Sequence, residues 1–258
     1  MATSRSSSPL LAYVLNSHDW SETSLIVELF TRDRGRIVVA AKGAKRPTSN
    51  FRAVLLPFHP VMVLLGKAPA DEQAEVLALR GAEWAGGQPL MPASALFNGF
   101  YMNELLLKLL ARQDPHPGLF DAYADSVSAL AQSADESPTL RAFELLLLRE
   151  LGLLPDLSIA TLAARPVEAE ACYTLQAESG LVPARQGVSG TQWLTLEAAL
   201  SHGSTQAVRH ACTGIAGTLR VPLRELLHYH LGGSRLRTRQ VWQGVQKLTA
   251  PASPASRP

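Results

Sequence analysis

The chain has 258 residues, 47% of them hydrophobic, and 24 Lys/Arg against 22 Asp/Glu give a formal charge of +2; that length and apolar content suffice for one or two cores without covalent staples. Its two cysteines, Cys172 and Cys212, supply neither a disulfide framework nor a paired-cysteine metal knuckle, and fit a reducing cytoplasm. The longest helical apolar stretch, 105–110, contains Lys108 and falls far short of the ~20 residues a membrane-spanning helix needs, so no segment is read as crossing a membrane.

The small total hides an asymmetry. Residues 1–80 carry 10 Lys/Arg and 7 Asp/Glu (+3), residues 81–204 carry 6 and 14 (−8), and residues 205–258 carry 8 and 1 (+7). Cationic surfaces gather phosphate backbones and release condensed counterions, so two basic ends flanking an acidic middle make nucleic acid the leading partner. The alternative is that these Lys and Arg only solvate exposed faces.

Residues 1–9 and 249–258 are rich in Ser, Pro and Ala, lack apolar periodicity and read as flexible tails. The apolar run 10–15 has no small-x-small cleavage site after it and leads into polar Asn16-Ser17-His18-Asp19, so 10–16 reads as a first strand rather than a signal core. Further strands are predicted over 24–31, 36–42, 60–65 and 75–80, and five short strands in this space predict a small barrel. Strands two and three meet at Asp33-Arg34-Gly35, where Gly35 can take the positive φ of a tight hairpin. On strand two Leu25, Val27 and Leu29 alternate with Ile26, Glu28 and Phe30, so both faces are largely apolar and the strand is expected to lie centrally. The segment 43–50 reads as an exposed loop. Between Arg32 and Arg52 the chain sets seven cations, Arg32, Arg34, Arg36, Lys42, Lys45, Arg46 and Arg52, against the single acid Asp33, which predicts a strongly positive sheet surface.

From Ser94 the apolar period lengthens to that of a helix carrying Leu96, Phe100, Leu105, Leu107 and Leu110. Asp114-Pro115-His116-Pro117 stops it and starts a second helix, and a third follows Ser137-Pro138 and ends at Gly152. Residues 155–190 are the least regular, with a hairpin expected where 172–175 meets 180–182. Helices are then predicted over 194–200, 205–219 and 222–231, stopped by Gly232-Gly233, with a last one over 238–247. The fold class is α+β: a barrel domain at 10–82, then a mainly helical domain at 90–248 with a small irregular, hairpin-containing insertion.

Signatures of catalysis are missing: there is no GxxxxGK[ST], GxSxG, HExxH or paired acidic motif. His228 and His230, like His210 and Cys212, differ by two positions and point apart on a helix, so a structural role is expected for each. Trp20, Trp84, Trp193 and Trp242 are scattered and read as packing residues. No catalytic residue, metal ligand or cofactor is assigned, and no enzyme is indicated.

The segments Trp20-Ser21-Glu22-Thr23-Ser24-Leu25, Phe30-Thr31, Gly35-Arg36 and Ala41-Lys42-Gly43-Ala44-Lys45-Arg46 closely resemble the N-terminal domain of the bacterial DNA repair family RecO. Leu56-Pro57-Phe58, Tyr101-Met102-Asn103-Glu104-Leu105, Leu119-Phe120-Asp121-Ala122-Tyr123, Leu140-Arg141-Ala142-Phe143-Glu144-Leu145 and Leu231-Gly232-Gly233 extend the resemblance, in order, to about residue 245. The resemblance implies a five-stranded OB-fold barrel before a helical domain, and a cytoplasmic, nucleoid-associated recombination mediator of the SOS response to DNA damage. Such a protein binds single- and double-stranded DNA, anneals complementary strands and cooperates with RecR, and often RecF, to load RecA on DNA covered by single-strand-binding protein. It also implies a site on the helical domain for the acidic, aromatic-ended tail of single-strand-binding protein, with Arg141 the candidate partner of a tail carboxylate. Many relatives carry a four-cysteine zinc site after the third helix; Ser158-Ile159-Ala160-Thr161 has no cysteine and only Cys172 lies nearby, so zinc is not expected.

The DNA-binding residues on this reading are Arg32, Arg34, Arg36, Lys42, Lys45, Arg46 and Arg52, with a second basic surface at Arg235, Arg237 and Arg239. Two other readings stay open: a non-enzymatic adaptor whose basic surface binds acidic protein tails, with DNA contact incidental, and, more distant, a metal-dependent nuclease, against which the lack of clustered carboxylates argues.

Overall fold

In the computed structural model, residues 8–66, 75–87, 89–132, 135–234, 236–238 and 241 are described. The alternating N-terminal segments form β1 (Leu10–Asp19), β2 (Leu25–Thr31) and β3 (Gly35–Ala41), then the single-turn α1 (Phe51–Val54), β4 (Pro60–Leu65) and β5 (Val76–Trp84). They close into a barrel in the order β1-β2-β3-β5-β4, all pairs antiparallel except β3 with β5. Val27, Leu29, Ile37, Val39, Val61 and Val63 fill its interior. Burying each of these removes roughly 1.5–3 kcal/mol of apolar surface cost, enough to make the barrel a core in its own right. Gly35 takes the expected left-handed conformation at the hairpin (φ 63°), and the Asp114 carbonyl lies so close that a methyl group there would collide with it.

The helical part follows as α2 (Ala93–Leu109), α3 (Pro117–Ala131), α4 (Glu136–Glu150), α5 (Gly190–His202), α6 (Thr205–Cys212) and α7 (Ala216–His230). Between α4 and α5 the backbone pairs more than its sequence suggests. Short strands β6 (Ile159–Ala160) and β7 (Arg165–Pro166) pair, and β8 (Cys172–Gln176) lies between β9 (Gly180–Pro183) and β10 (Val188–Ser189). Leu157, Tyr173, Leu175, Leu181 and the fully buried Trp193 tie this insertion to the helical core, and Trp193 Nε1 donates to the Tyr173 carbonyl at 3.3 Å.

Two expectations about helices are corrected. The helix predicted over 205–219 breaks after Cys212, because Gly214 adopts a left-handed conformation (φ 84°) and turns the chain. The helix then resumes at Ala216 and passes through Pro222, although proline in a helix interior costs about 3 kcal/mol. Leu219, Leu223, Leu226 and Leu227 are all buried on that helix and outweigh the cost. The predicted last helix, 238–247, lies almost wholly outside the described residues.

The two-faced apolarity of β2 has a definite origin. One face points into the barrel, while Phe30 on the other joins Tyr13 of β1 in the helical core, with Tyr13–Phe120 and Phe30–Phe120 ring centres 5.6 and 5.4 Å apart. A polar relay secures the same seam. The register of β1 against β2 shifts at Leu15, whose carbonyl accepts a 2.9 Å hydrogen bond from Asn103 Nδ2 of α2, and Tyr123 of α3 donates to Asn103 Oδ1 at 2.6 Å. Asn103 and Tyr123 are 1% and 0% exposed, so each lost partner strands a buried polar atom. Tyr123→Phe is therefore expected to cost about 1–3 kcal/mol, and Asn103→Ala, which orphans both the Leu15 carbonyl and the Tyr123 hydroxyl, more than that. Urea unfolding of the two variants checks this ranking, and equal stability of Tyr123→Phe and the parent would remove the relay from the account.

Candidate nucleic-acid interface

The seven cations between Arg32 and Arg52 do not form one strip. Three flank the hairpin tip and four follow β3, whose seven residues separate the groups by roughly 23 Å at ~3.3 Å per residue. At the tip Arg32 reaches the helical domain, where its Nε and Nη2 donate to the two carboxylate oxygens of Asp121 at 3.0 and 2.9 Å. That pairing raises the Arg32 pKa further. Arg36 lies 3.5 Å from Glu28 Oε2, and Arg112, from the segment after α2, lies 3.4 Å from Glu28 Oε1 and also pairs with Glu75. Arg32 thus helps dock the barrel on the helices, Arg36 pairs within the barrel and meets the helical side through its carbonyl, which accepts from Gln113 N at 2.9 Å, and Arg34 stays exposed in the turn. The expectation of a continuous positive surface is corrected accordingly: Asp121 of the helical domain takes up Arg32, and Glu28 of the barrel's own second strand takes up Arg36.

At the other end of β3 the cations stand more openly. Lys42, Arg46 and Arg52 are exposed and make no ion pair among the described residues. Lys45 bonds Asp19 Oδ2 at 2.8 Å and the Ser21 carbonyl at 3.4 Å, which binds the loop after β3 to the turn between β1 and β2. Backbone contacts reinforce the tie: Lys45 N donates to the Thr23 carbonyl at 2.9 Å and Gly43 N to Ser24 Oγ at 3.4 Å. The result is two tied loops carrying the exposed cations Lys42 and Arg46 and one shared with Asp19, with exposed Arg52 following on α1.

Of the second basic surface, Arg237 is exposed, and Arg235 and Arg239 lie outside the described residues. Glu104 of α2 accepts the backbone N–H groups of Arg237 and Thr238 at 2.7 and 2.9 Å and the Thr238 hydroxyl at 2.7 Å. Burial pushes the Glu104 carboxyl up, but these donors and Lys108 outweigh it and hold the group below the ordinary carboxylate range.

This clip brings the C-terminal segment to the edge of a pocket of ≈ 420 Å³ between α2, α4 and α7. Phe97, Leu140 and Leu236 give it apolar walls, and Arg141, Arg220 and Arg224 give it positive charge. Arg141 is not free at its mouth. It is 8% exposed and its Nη2 bonds Glu144 Oε1 at 2.8 Å, an oxygen that also accepts from the Tyr101 hydroxyl at 2.6 Å. Burial drives the Glu144 carboxyl above its ordinary range against the pull of Arg141, Tyr101 and Arg220. Among the described residues Arg141 Nε and Glu144 Oε2 find no hydrogen-bond partner. Arg220 and Arg224, four apart on α7 and so on one face, make no ion pair among the described residues. Sequence reasoning missed both, although their i, i+4 spacing was the signal. Cys212 lies within electrostatic reach of Arg141 and Glu144, and burial pushes its thiol up to about 12, so it stays protonated. Among the described residues no three or more His, Cys, Asp or Glu side chains converge, and no helix is long and apolar enough to cross a membrane.

A closed five-stranded OB barrel with a cationic end, docked on a helical domain that holds a cation-lined pocket, is the class of protein these features define. Residues 10–78 match the family described as Recombination protein O N terminal and residues 94–240 the one described as Recombination protein O C terminal. A protein of Variovorax paradoxus called DNA repair protein RecO is 50% identical over 251 residues, covering 92% of this chain and 96% of its own, and one of Delftia acidovorans bearing the same name is 47% identical over 257 residues, covering 96% and 100%. The chain belongs to the RecO family of DNA repair proteins.

Proposed function

We propose that this chain is a recombination mediator that binds single- and double-stranded DNA through the barrel, anneals complementary strands, and with RecR and RecF helps load RecA on strands covered by single-strand-binding protein, in the cytoplasm at the nucleoid. The observation that carries this reading is the barrel end at Lys42, Lys45, Arg46 and Arg52, where the loop after β3 and the following α1 concentrate exposed positive charge. OB barrels hold single strands by tracking the backbone with such charge and by stacking bases on aromatic rings. Arg34, exposed at the hairpin tip at the other end of β3, would make a separate phosphate contact, as would the second basic surface at Arg235, Arg237 and Arg239, whereas Arg32 is engaged by Asp121 and Arg36 by Glu28.

Binding of a labelled single strand measured over a salt series tests the proposal, because phosphate neutralisation requires log affinity to fall linearly with log salt concentration. Acceleration of annealing between two complementary strands tests the mediator step. Affinity that is absent, or indifferent to salt, ends this reading.

The adaptor reading has an observation of its own in the pocket bounded by Phe97, Leu140, Arg141, Arg220 and Arg224. An apolar slot under a pair of open guanidinium groups suits the acidic, aromatic-ended tail of single-strand-binding protein. The two sites are separate, so a tail and a DNA strand can be held at once.

A further inference from the structure

The residue at the cationic end that the charge pattern does not account for is Trp20. Its side chain is 56% exposed at the turn between β1 and β2, and it enters no ring pairing among the described residues. Packing explains the other described tryptophans better. Trp193 is fully buried, and Trp84, 44% exposed, leans on the His59 ring at 4.8 Å. The expectation that Trp20 is a packing residue is therefore corrected.

Its position is built rather than loose. Trp20 N and Ser21 N both point at the Ser24 carbonyl, at 3.1 and 3.4 Å, and close the turn. Lys45 then grips the residues on either side, the Asp19 carboxylate and the Ser21 carbonyl, so the indole sits within the same two-loop frame as Lys42, Lys45 and Arg46. Trp20's own turn carries Asp19, whose charge Lys45 takes up, and the exposed Glu22, while Lys42 and Arg46 stand exposed on the loop tied to it. An exposed aromatic face beside those cations suits a nucleotide, the ring receiving a base and the loop cations the flanking phosphates.

We infer that Trp20 is a base-stacking residue that strengthens the barrel's hold on single-stranded DNA and not on duplex DNA. The inference rests on the barrel binding DNA as proposed above. Bases in a duplex are already stacked on one another and present only their edges, so an indole at a loop tip gains nothing from them. Unstacked bases of a single strand offer a π-face whatever their sequence, so the contact favours strandedness without favouring sequence.

The test uses the full chain and three fluorescein-labelled probes: an oligothymidylate, a duplex, and an abasic strand with the same number of phosphates. Trp20→Ala should weaken oligothymidylate binding about five- to tenfold, near the lower end of what one stacked base supplies. Duplex and abasic-strand affinities should stay as they are, and the salt dependence should keep its slope. Trp20→Phe, which keeps an aromatic face, should recover most of the loss. A Trp20→Ala chain that binds oligothymidylate as the parent does, or that weakens on all three probes alike, overturns the inference while leaving the cationic reading in place. A parent chain that binds none of the probes overturns both.

Discussion

Changing Lys42, Lys45 and Arg46 together to Ala is expected to lower affinity for single-stranded DNA by between about 25-fold and about 130-fold at 0.1 M salt, and to flatten the slope of log affinity against log salt by about 1.4 to 2.1. The range follows from how many phosphates the triple releases, at ~0.7 per contact on a single strand. Lys42 and Arg46 count in full because they are exposed and make no ion pair among the described residues, whereas Lys45 already shares its charge with Asp19. Arg32→Ala supplies the contrast. Its guanidinium is committed in bidentate fashion to Asp121, so its loss should shift the slope by less than one full contact. Fluorescence anisotropy at four or more salt concentrations reads both quantities. If the triple variant keeps the parental slope, phosphates do not lie on this end of the barrel.

The barrel was legible because strands announce themselves locally. The alternation of Leu25, Val27 and Leu29 and the hairpin glycine Gly35 place β2 and β3 within a residue or so of where they lie. Helix existence was equally plain from Leu96 to Gly152, but helix continuity was not. Whether Pro222 ends a helix depends on how well Leu219, Leu223, Leu226 and Leu227 are buried, which is a tertiary quantity. The candidate site divides in the same way. That Lys42 and Arg46 are cations on a loop is local information; that Arg32 meets Asp121, eighty-nine positions away, is a product of docking. Arg141 shows the limit most clearly. Its motif marked the right part of the molecule and its i, i+3 spacing from Glu144 was a local signal, yet only the burial of that pair in the packed helices shows that Arg141 is taken up and Arg220 and Arg224 are left at the rim.

That division decides how the pocket has to be tested. Arg141→Ala alone would remove the partner of Glu144, a carboxylate 1% exposed, and breaking one side of a buried pair costs about 3–5 kcal/mol. Lost peptide binding in that variant would report a damaged helix pair as readily as a lost contact. Arg220→Ala with Arg224→Ala avoids this, since neither side chain is in an ion pair among the described residues. Hydrogen bonds to charged groups contribute about 1.5–3 kcal/mol, so the double variant should weaken an acidic peptide ending in an aromatic residue at least tenfold. The same peptide with its terminal carboxylate amidated should lose a similar factor on the parent chain and much less on the double variant, because the two changes remove opposite ends of one interaction. Arg141→Met combined with Glu144→Gln then isolates the buried pair, as it withdraws both charges without stranding either. Titration calorimetry supplies the affinities and thermal unfolding verifies the fold. Peptide affinity that survives Arg220→Ala/Arg224→Ala unchanged would take the pocket out of partner binding.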